Sequence, residues 1–534
     1  MISSTGNVAD ALVRRLCDHG VTHIFGYPGG QLTPLYDALS RQTKIRHVLA
    51  RDEQAAAFMA DGFARATGKP GVCLAVCGPG VYNAATALAT SFTDSVPVLL
   101  ISGQVLSAGA GLRSGYYHEN EQQSACATFT KCSARIKNPL TAIMELDSTW
   151  GQISGGRPGP ALLEIPVDIL RADYTGEPRP TLQQALPPRG PSREEIETLR
   201  TLMLGWRKPL LMIGGGVITA GAEQLVAKLA ERIGAPVFHT LMGKSAVTPE
   251  HSMGLPWLWA TSDLTGMESA IHPLFKEADG MLAIGCRFSQ AATGSWALKP
   301  PASLVQIDVD AAEIGRHYPV ALSIQADAAK AIGELLKVLP AGSRPKWSGS
   351  ETTSTRNEPT SELAKMVDEM RSALPRDAIV AADITRLGYL LLAKYPVYEP
   401  RTFLHPAGFV AMGFGIPAAI GAKAAFPGRT VVAVAGDGCF MMSGMELATA
   451  VQEKLPIIVV LVNDNCLSLI KAIQERRYEK RFLGVDLQNP DFGQFAKAFG
   501  VHFWRVEGDQ ALGNAIQEAM KAGETALIEV RLTE

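Results

Sequence analysis

The stretch that decides the fold is VVAVAGDGCFMMSGMELATAVQEKLPIIVVLVNDN, residues 431–465. Two apolar runs, residues 430–435 and 456–462, flank one helix-length of sequence, and each stops at a carboxylate. The first ends at Gly436-Asp437-Gly438, the second at Asn463-Asp464-Asn465. Between them, Met441, Met445, Leu447 or Ala448, and Val451 recur at a spacing suited to a helix packed on one side. Continuous apolar runs joined through a helix imply parallel strands buried on both faces. Ligands of such sheets gather outside the carboxyl ends of the strands. Asp437 and Asp464 are therefore expected side by side at one sheet edge, where they repel unless a cation lies between them. Oxygen ligands on short loops suit Mg²⁺, which keeps phosphate and water ligands as well. A tight turn and a polar loop account for either motif alone; the pair, one βαβ unit apart, points to a site.

The same alternation runs through the whole chain. Two Pro-rich or polar stretches interrupt it, residues 171–195 and 341–362. They delimit three blocks, 1–170, 196–340 and 360–534, each with its own strand and helix patterns. The expectation is an α/β protein of three doubly wound parallel-sheet domains. Hydrophobic content of 47%, charge of 19% and a net charge of −2 describe an ordinary globular chain. They give no reason to expect nucleic acid or an anionic membrane as partner. The eight cysteines form no CxxC pair or Cys/His cluster, which fits a reducing cytoplasm better than a disulfide framework or a zinc site. No signal peptide or membrane span is visible.

Glycine turns follow several apolar runs: Gly29-Gly30, Gly78-Pro79-Gly80 and Gly214-Gly215-Gly216. None is a dinucleotide fingerprint or a Walker A loop. In RDEQAAAFMADGFARATG, Glu53 stands after a short apolar strand at the head of an alanine-rich helix. An acid there ordinarily complements the helix dipole; a further role would need a buried ring nitrogen to protonate.

At this point a resemblance becomes specific. GDG, 24 residues, then ND is similar to the thiamine diphosphate motif. FGYPGG, RDEQAAAFMADGFARATGKPGV, CGPGVYNAATALATSFTDSVPVLLISGQ, TKC, GRPGPALLEIPVDI, KPLLMIGGG, PVFHTLMGKSAVTPE, IDVDAAEIGR and MGFGIPAAIGAK follow in the same order. Nearly the whole chain resembles the acetolactate synthase branch of thiamine diphosphate enzymes. The resemblance implies pyrimidine-binding, central and diphosphate-binding domains in that order. It implies Mg²⁺ held by Asp437, Asp464 and the carbonyl of Cys466, and Glu53 on N1′ of the cofactor's aminopyrimidine. Gly30, Pro79 and Asn83 match the pyrimidine side; Thr385, Arg386, Gly436, Gly438, Cys439, Leu469 and Ile470 fall on the diphosphate side. Met412 matches the bulky residue that props the cofactor into its bent shape. In this family the two domains meet across a subunit interface, so a homodimer or homotetramer is expected. The expected chemistry is decarboxylation of a 2-oxo acid, pyruvate foremost, with ligation of the acyl group to a second carbonyl.

The substrate side departs from the pattern. Tyr117-His118-Glu119 replaces a Phe-Gln-Glu stretch, so that His118 either relays a proton near neutrality or is a surface-loop residue. Gln31 follows Gly30 and either binds an oxo acid or caps a helix. Leu469, Ile470 and Ile473 stand where biosynthetic relatives carry a tryptophan, and Arg386-Leu387 where they carry Gln-His. GLPWLWATSDLTGM replaces their flavin signature, so no FAD is expected. The sequence ends at ALIEVRLTE without their lidding tail. Rival readings are a simple 2-oxo acid decarboxylase, an acyloin or aldehyde lyase, and, more remotely, a non-catalytic regulatory or scaffold protein.

Overall fold

The computed structural model describes residues 6–176, 188–255, 273–347, 362–507 and 511–532. Among them the apolar runs become strands of three sheets. The first holds β1 (His23–Gly26), β2 (Arg46–Leu49), β3 (Gly71–Ala75), β4 (Val98–Gln104), β5 (Cys132–Arg135) and β6 (Ala161–Pro166), in the order β2-β1-β3-β4-β6-β5. The central sheet holds β7 (Pro209–Ile213), β8 (Val237–His239), β9 (Gly280–Ile284), β10 (Leu304–Asp308) and β11 (Leu322–Gln325), in the order β11-β10-β9-β7-β8. The third holds β12 (Ile379–Ala382), β13 (Phe403–Leu404), β14 (Val431–Gly436), β15 (Ile458–Asn463), β16 (His502–Val506) and β17 (Ala526–Arg531), in the order β13-β12-β14-β15-β17-β16. Every neighbouring pair is parallel, as runs such as the wholly buried β3, β4 and β15 require.

Counted from their own first strands, the first and third sheets share the order 2-1-3-4-6-5 and the central one runs 2-1-3-4-5. Each chain path therefore reverses between its first and third strands, which opens a crevice at their carboxyl ends. In the first sheet that crevice lies between β1 and β3, in the third between β12 and β14. The sheets occupy residues 23–166, 209–325 and 379–531. The Pro-rich and polar connections, and most of GLPWLWATSDLTGM, lie partly or wholly outside the described residues.

Small residues decide how the first and third domains meet. The helix Glu53–Thr67 is rich in alanine, and the helix Gly415–Ala425 carries Gly415, Ala418, Ala419, Gly421 and Ala422. Where they cross, a methyl group on Gly62 would lie 2.2 Å from the Ala418 carbonyl oxygen, and one on Gly421 would lie 1.9 Å from that of Met59. Backbone thus touches backbone, and the apolar residues of both domains form one continuous core. Arg65, buried at this junction, pairs with Asp61 at 2.5 Å and Asp94 at 2.8 Å. Asp94 in turn accepts the N–H groups of Ala407 and Gly408 from the third domain.

One expectation is corrected. The segment after Asp437 is not a single helix with Met441, Met445 and Val451 turned inward. A helix Asp437–Ser443, a 3₁₀ turn Gly444–Glu446 and a helix Leu447–Gln452 follow one another. The tight turn shifts the phase, so Cys439, Phe440, Leu447 and Ala450 are buried while Met441 and Met445 are 49% and 58% exposed. No described helix is long and apolar enough to cross a membrane.

Candidate active site

The third-domain crevice gathers most of the residues singled out from the sequence. Parallel pairing sets Gly436 opposite Val462, so Asp437 and Asp464 leave adjacent strands at one edge. Asp437 begins its helix and is held by the N–H of Gly438 at 2.8 Å and by Asn489 Nδ2 at 2.8 Å. The same Asn489 amide donates to the side-chain oxygens of Asn463 and Asn465, both at 3.1 Å, and so ties the two carboxylate loops together. Burial above all pushes the Asp437 pKa up, and the charge of Asp464 adds to the push; Asn489 and the N–H groups of Gly438 and Cys466 oppose it. Asp464 accepts a hydrogen bond from Ser468 and pairs with Arg386 at 3.6 Å. Asn465 takes a left-handed backbone, φ 52°. Leu467 and Leu487 donate backbone hydrogen bonds to Val485 and Asn465, which pin the loop around Cys466.

The crevice is shaped for close approach. A methyl on Gly438 would lie 2.8 Å from Leu467 and 3.4 Å from the Met412 Cε, and one on Gly436 would lie 3.1 Å from the Thr385 hydroxyl. Cys439 Sγ donates to the Ile384 carbonyl at 3.0 Å. Asp383, wholly buried, accepts the N–H groups of Ile384, Gly413 and Gly415 and fixes the loop carrying Met412. Its pKa is raised by burial against those hydrogen bonds. Leu469 and Ile470 lie in the helix Ser468–Arg477 that follows, and Ile470 is exposed.

A second cluster lies at the first-domain crevice. Asp52 caps the Glu53 helix by accepting the N–H groups of Gln54 and Ala55, which leaves the Glu53 carboxylate free of capping. Its Oε2 accepts from Asn83 Nδ2 at 3.0 Å, and a methyl on Gly80 would lie 2.9 Å from its Oε1. Pro79 opens the helix Pro79–Asp94 behind Gly78, φ 69°. Gln122, fully buried, accepts the Gly78 N–H at 2.9 Å and donates to the Gly103 carbonyl at 3.0 Å. The Gln31 Cβ packs against Gly103, and Gly30 faces open space. His118 has a left-handed backbone, φ 68°, and its carbonyl oxygen would lie 2.9 Å from a methyl on Gly78. Its ring stacks on Tyr117 at 4.0 Å and its Nδ1 is buried without a partner.

The sequence missed Asn489, Asp383 and Gln122. Asn489 in DLQNPDFG carries no local signal; only the fold brings it between the loops. A group of three or more His, Cys, Asp or Glu able to hold a metal does not occur among the described residues. The acidic pair beside Cys466 nevertheless fits Mg²⁺ that arrives with phosphate oxygens of its own. Separately, a cavity of about 750 Å³ opens at the carboxyl ends of the central sheet, with Gly215, Lys244, Arg287, Asp308 and His405 on its walls. Its volume is that of a ligand pocket.

Three parallel-sheet domains, with an acidic pair at the carboxyl ends of β14 and β15 and the Glu53 carboxylate, left free by the Asp52 cap, at the first-domain crevice, are the architecture of a cofactor-dependent α/β enzyme. Sequence profiles then specify which. Those described as the N-terminal TPP binding, central and C-terminal TPP binding domains of thiamine pyrophosphate enzymes match residues 6–127, 196–335 and 383–530. The chain belongs to the thiamine pyrophosphate enzyme family. A probable acetolactate synthase large subunit of Methanocaldococcus jannaschii is 32% identical over 98% of this chain and 91% of its own length. The acetolactate synthase isozyme 1 large subunit of Escherichia coli is 31% identical over 98% and 93%. A probable 2-ketoarginine decarboxylase of Pseudomonas aeruginosa is 33% identical over 99% and 94%.

Proposed function

We propose that the protein decarboxylates a 2-oxo acid, with pyruvate the first candidate, and joins the acyl group to a second carbonyl. The observation that carries this reading is the pair of half-sites: Glu53 held by Asn83 beside Gly80, and Asp437 with Asp464 tied by Asn489. Thiamine diphosphate supplies an electron sink for the broken C–C bond. Asp437, Asp464 and the Cys466 carbonyl would hold Mg²⁺ and, through it, the diphosphate, and Thr385, Arg386, Gly436, Gly438, Cys439, Leu469 and Ile470 would line the cofactor's place. Arg386 offsets part of the charge gathered there. Met412, on the loop fixed through Asp383, would prop the cofactor into its bent shape. Glu53 gives and takes a proton at its carboxyl group, while Asn83 fixes which oxygen is free to do so. Gly30 and Pro79 stand on the side of the cofactor's pyrimidine, and Gln31 and His118 border the space for substrate.

The acetolactate synthases among the relatives favour ligation, and the relative named as a probable 2-ketoarginine decarboxylase keeps decarboxylation without ligation in view. Product analysis with pyruvate, with and without thiamine diphosphate and Mg²⁺, separates the two. Acetolactate with CO₂ supports ligation; acetaldehyde with CO₂ supports the decarboxylase. Glu53→Gln should abolish turnover, with only a modest loss of cofactor affinity. Turnover that survives this change refutes the assigned role, and a wild-type chain inert toward oxo acids and aldehydes would point to a scaffold. The chemistry is assigned without flavin, and a flavin absorption band in the purified protein would overturn that. Met441, Met442, Met445, Phe409 and Tyr82 are exposed apolar side chains of the kind a second copy would cover, and a homodimer or larger homo-oligomer is part of this proposal.

A further inference from the structure

We propose that Lys244 captures a 2-oxo acid as an imine in the cavity at the carboxyl ends of the central sheet, where Arg287 and Arg401 serve its carboxylate. Glu53, Asp437 and Asp464 are not among the residues that line this cavity of about 750 Å³. Lys244 reaches it from the end of β8. Thr240 caps the 3₁₀ turn Leu241–Gly243 by accepting the Gly243 N–H at 3.2 Å. Lys244 leaves that turn at the carboxyl edge of the sheet, where ligands of parallel sheets gather. Its side-chain nitrogen lies 5.4 Å from the centre of the Phe403 ring and donates to the Leu392 carbonyl at 2.7 Å. It pairs with no carboxylate among the described residues. Two more cations on the walls share this condition. Arg287 donates to the Thr93 carbonyl at 2.5 Å and Arg401 to the Ile218 carbonyl at 2.9 Å, and neither makes an ion pair among the described residues. The acids on the walls are engaged elsewhere. Asp94 pairs with Arg65 and Glu313 with Arg157, both at 2.8 Å, while Asp308 and Asp327 accept the N–H groups of Asp310 and Lys330.

An amine placed against an aromatic ring and one backbone carbonyl, without a counter-ion, is a cost that folding does not require. Methionine would fill the same place without it. Departures of this kind collect at functional sites. Three cations without ion partners around a cavity of ligand size call for an anion, and guanidinium groups suit a carboxylate. Burial pulls the Lys244 pKa from an ordinary 10.5 down to about 7. About half of the amine is then neutral at pH 7, against on the order of one in a few thousand for an exposed lysine. The nearby His239 and His405 are also kept neutral by burial, their pKa values pulled to about 4, and the charge of Lys244 adds to that pull. A desolvated lysine is a nucleophile toward carbonyl carbon. Its nitrogen attacks the ketone carbon, a C–N bond forms, and the carbonyl oxygen leaves as water with both nitrogen protons. The step consumes no oxidant or reductant. A 2-oxo acid carries both the carbonyl that Lys244 takes and the anion that the arginines lack.

The test uses the full chain without thiamine diphosphate, so that its outcome is independent of the role given to Glu53. The protein is incubated at pH 7 with pyruvate and, in separate arms, with acetaldehyde or lactate. Cyanoborohydride then reduces any imine to a stable amine, and peptide mass spectrometry locates the adducts. Pyruvate is expected to label Lys244 about ten-fold faster or more than any exposed lysine, and lactate, which has no ketone, to label nothing. Arg287→Gln should slow labelling by pyruvate several-fold and leave labelling by acetaldehyde unchanged. Lys244→Met should remove the adduct while the thermal midpoint holds or rises, because an uncompensated amine is removed. Lys244→Arg keeps the charge and should also remove the adduct, which covers the case in which the methionine variant fails to fold. Adducts spread over exposed lysines, with Lys244 unlabelled in the parent chain, overturn the proposal. Labelling of Lys244 by acetaldehyde as fast as by pyruvate, and unaffected by Arg287→Gln, overturns the assignment of a 2-oxo acid.

Discussion

Glu446→Gln is expected to stabilise this protein above pH 7, although it removes a charged residue that makes two hydrogen bonds. Glu446 is 1% exposed. Its carboxylate accepts the Arg51 N–H at 2.9 Å and the Thr449 hydroxyl at 2.6 Å, and so stitches the third domain to the turn that leads into Glu53. Burial, with a smaller push from Asp52, raises its pKa from an ordinary 4.5 to about 7 despite those bonds. The unfolded chain therefore ionises this group near pH 4.5 while the folded chain keeps its proton until about pH 7. Stability from the protonated form is fully present below the lower value, falls as pH rises through the window, and is gone above the upper one. The window spans 7 − 4.5 = 2.5 pH units, which at about 1.4 kcal/mol per unit amounts to about 3.5 kcal/mol as an upper limit. Glutamine is neutral throughout. Its amide oxygen can keep the Arg51 N–H, and its amide nitrogen can donate to Thr449, whose proton then goes to the Leu49 carbonyl at 3.1 Å. Calorimetric unfolding of both proteins from pH 5 to pH 9 gives the measurement. The variant should melt a few degrees higher at pH 8 and together with the parent toward pH 5. A pH-independent difference, or a variant less stable at pH 8, would refute the reasoning.

Gly421→Ala should lower the thermal midpoint sharply, because its methyl would sit 1.9 Å from the Met59 carbonyl oxygen; about 1–3 kcal/mol or more is the expected cost. Gly333→Ala, in the helix Ala328–Val338 with nothing within 4 Å, is the contrasting change and should stabilise by roughly 0.5–1 kcal/mol. Arg386→Gln should weaken cofactor binding a few-fold in titration calorimetry, more at low salt than at high, since Arg386 is 54% exposed and its field is screened.

The strand ends bearing Asp437 and Asp464 were legible because strands buried on both faces leave continuous apolar runs, and a parallel pair fixes which ends meet. The start of the Glu53 helix was legible from the short apolar strand before it and the alanine-rich run after it. The phase of the segment after Asp437 was not, because one 3₁₀ turn at Gly444–Glu446 rotates everything beyond it. Asn489, Gln122 and Glu446 act on groups 44 or more residues away or in another domain, and no periodicity reports such a meeting. The alanines of the Glu53 helix were visible, whereas the glycine helix they admit was not.

The repeated strand order leads to a last prediction. Each chain carries one Glu53 edge and one Asp437 edge, and no hydrogen bond or ion pair among the described residues joins Glu53 to the Asp437 cluster. If a complete site takes Glu53 from one copy and Asp437 from another, two inactive variants should rescue each other. In a mixed dimer of Glu53→Gln with Asp437→Asn, one site carries both changes and the other carries neither. Random exchange in a two-fold dimer then restores about a quarter of the sites. The variants would be unfolded and refolded together, or co-expressed, and assayed for cofactor-dependent CO₂ release against each variant alone. Activity near that fraction places the site across two copies, with the exposed methionines after Asp437 as the surface to disrupt next. No recovery, with mixed dimers demonstrated by mass, would mean that each chain builds its own site and that the exposed methionines serve a different contact.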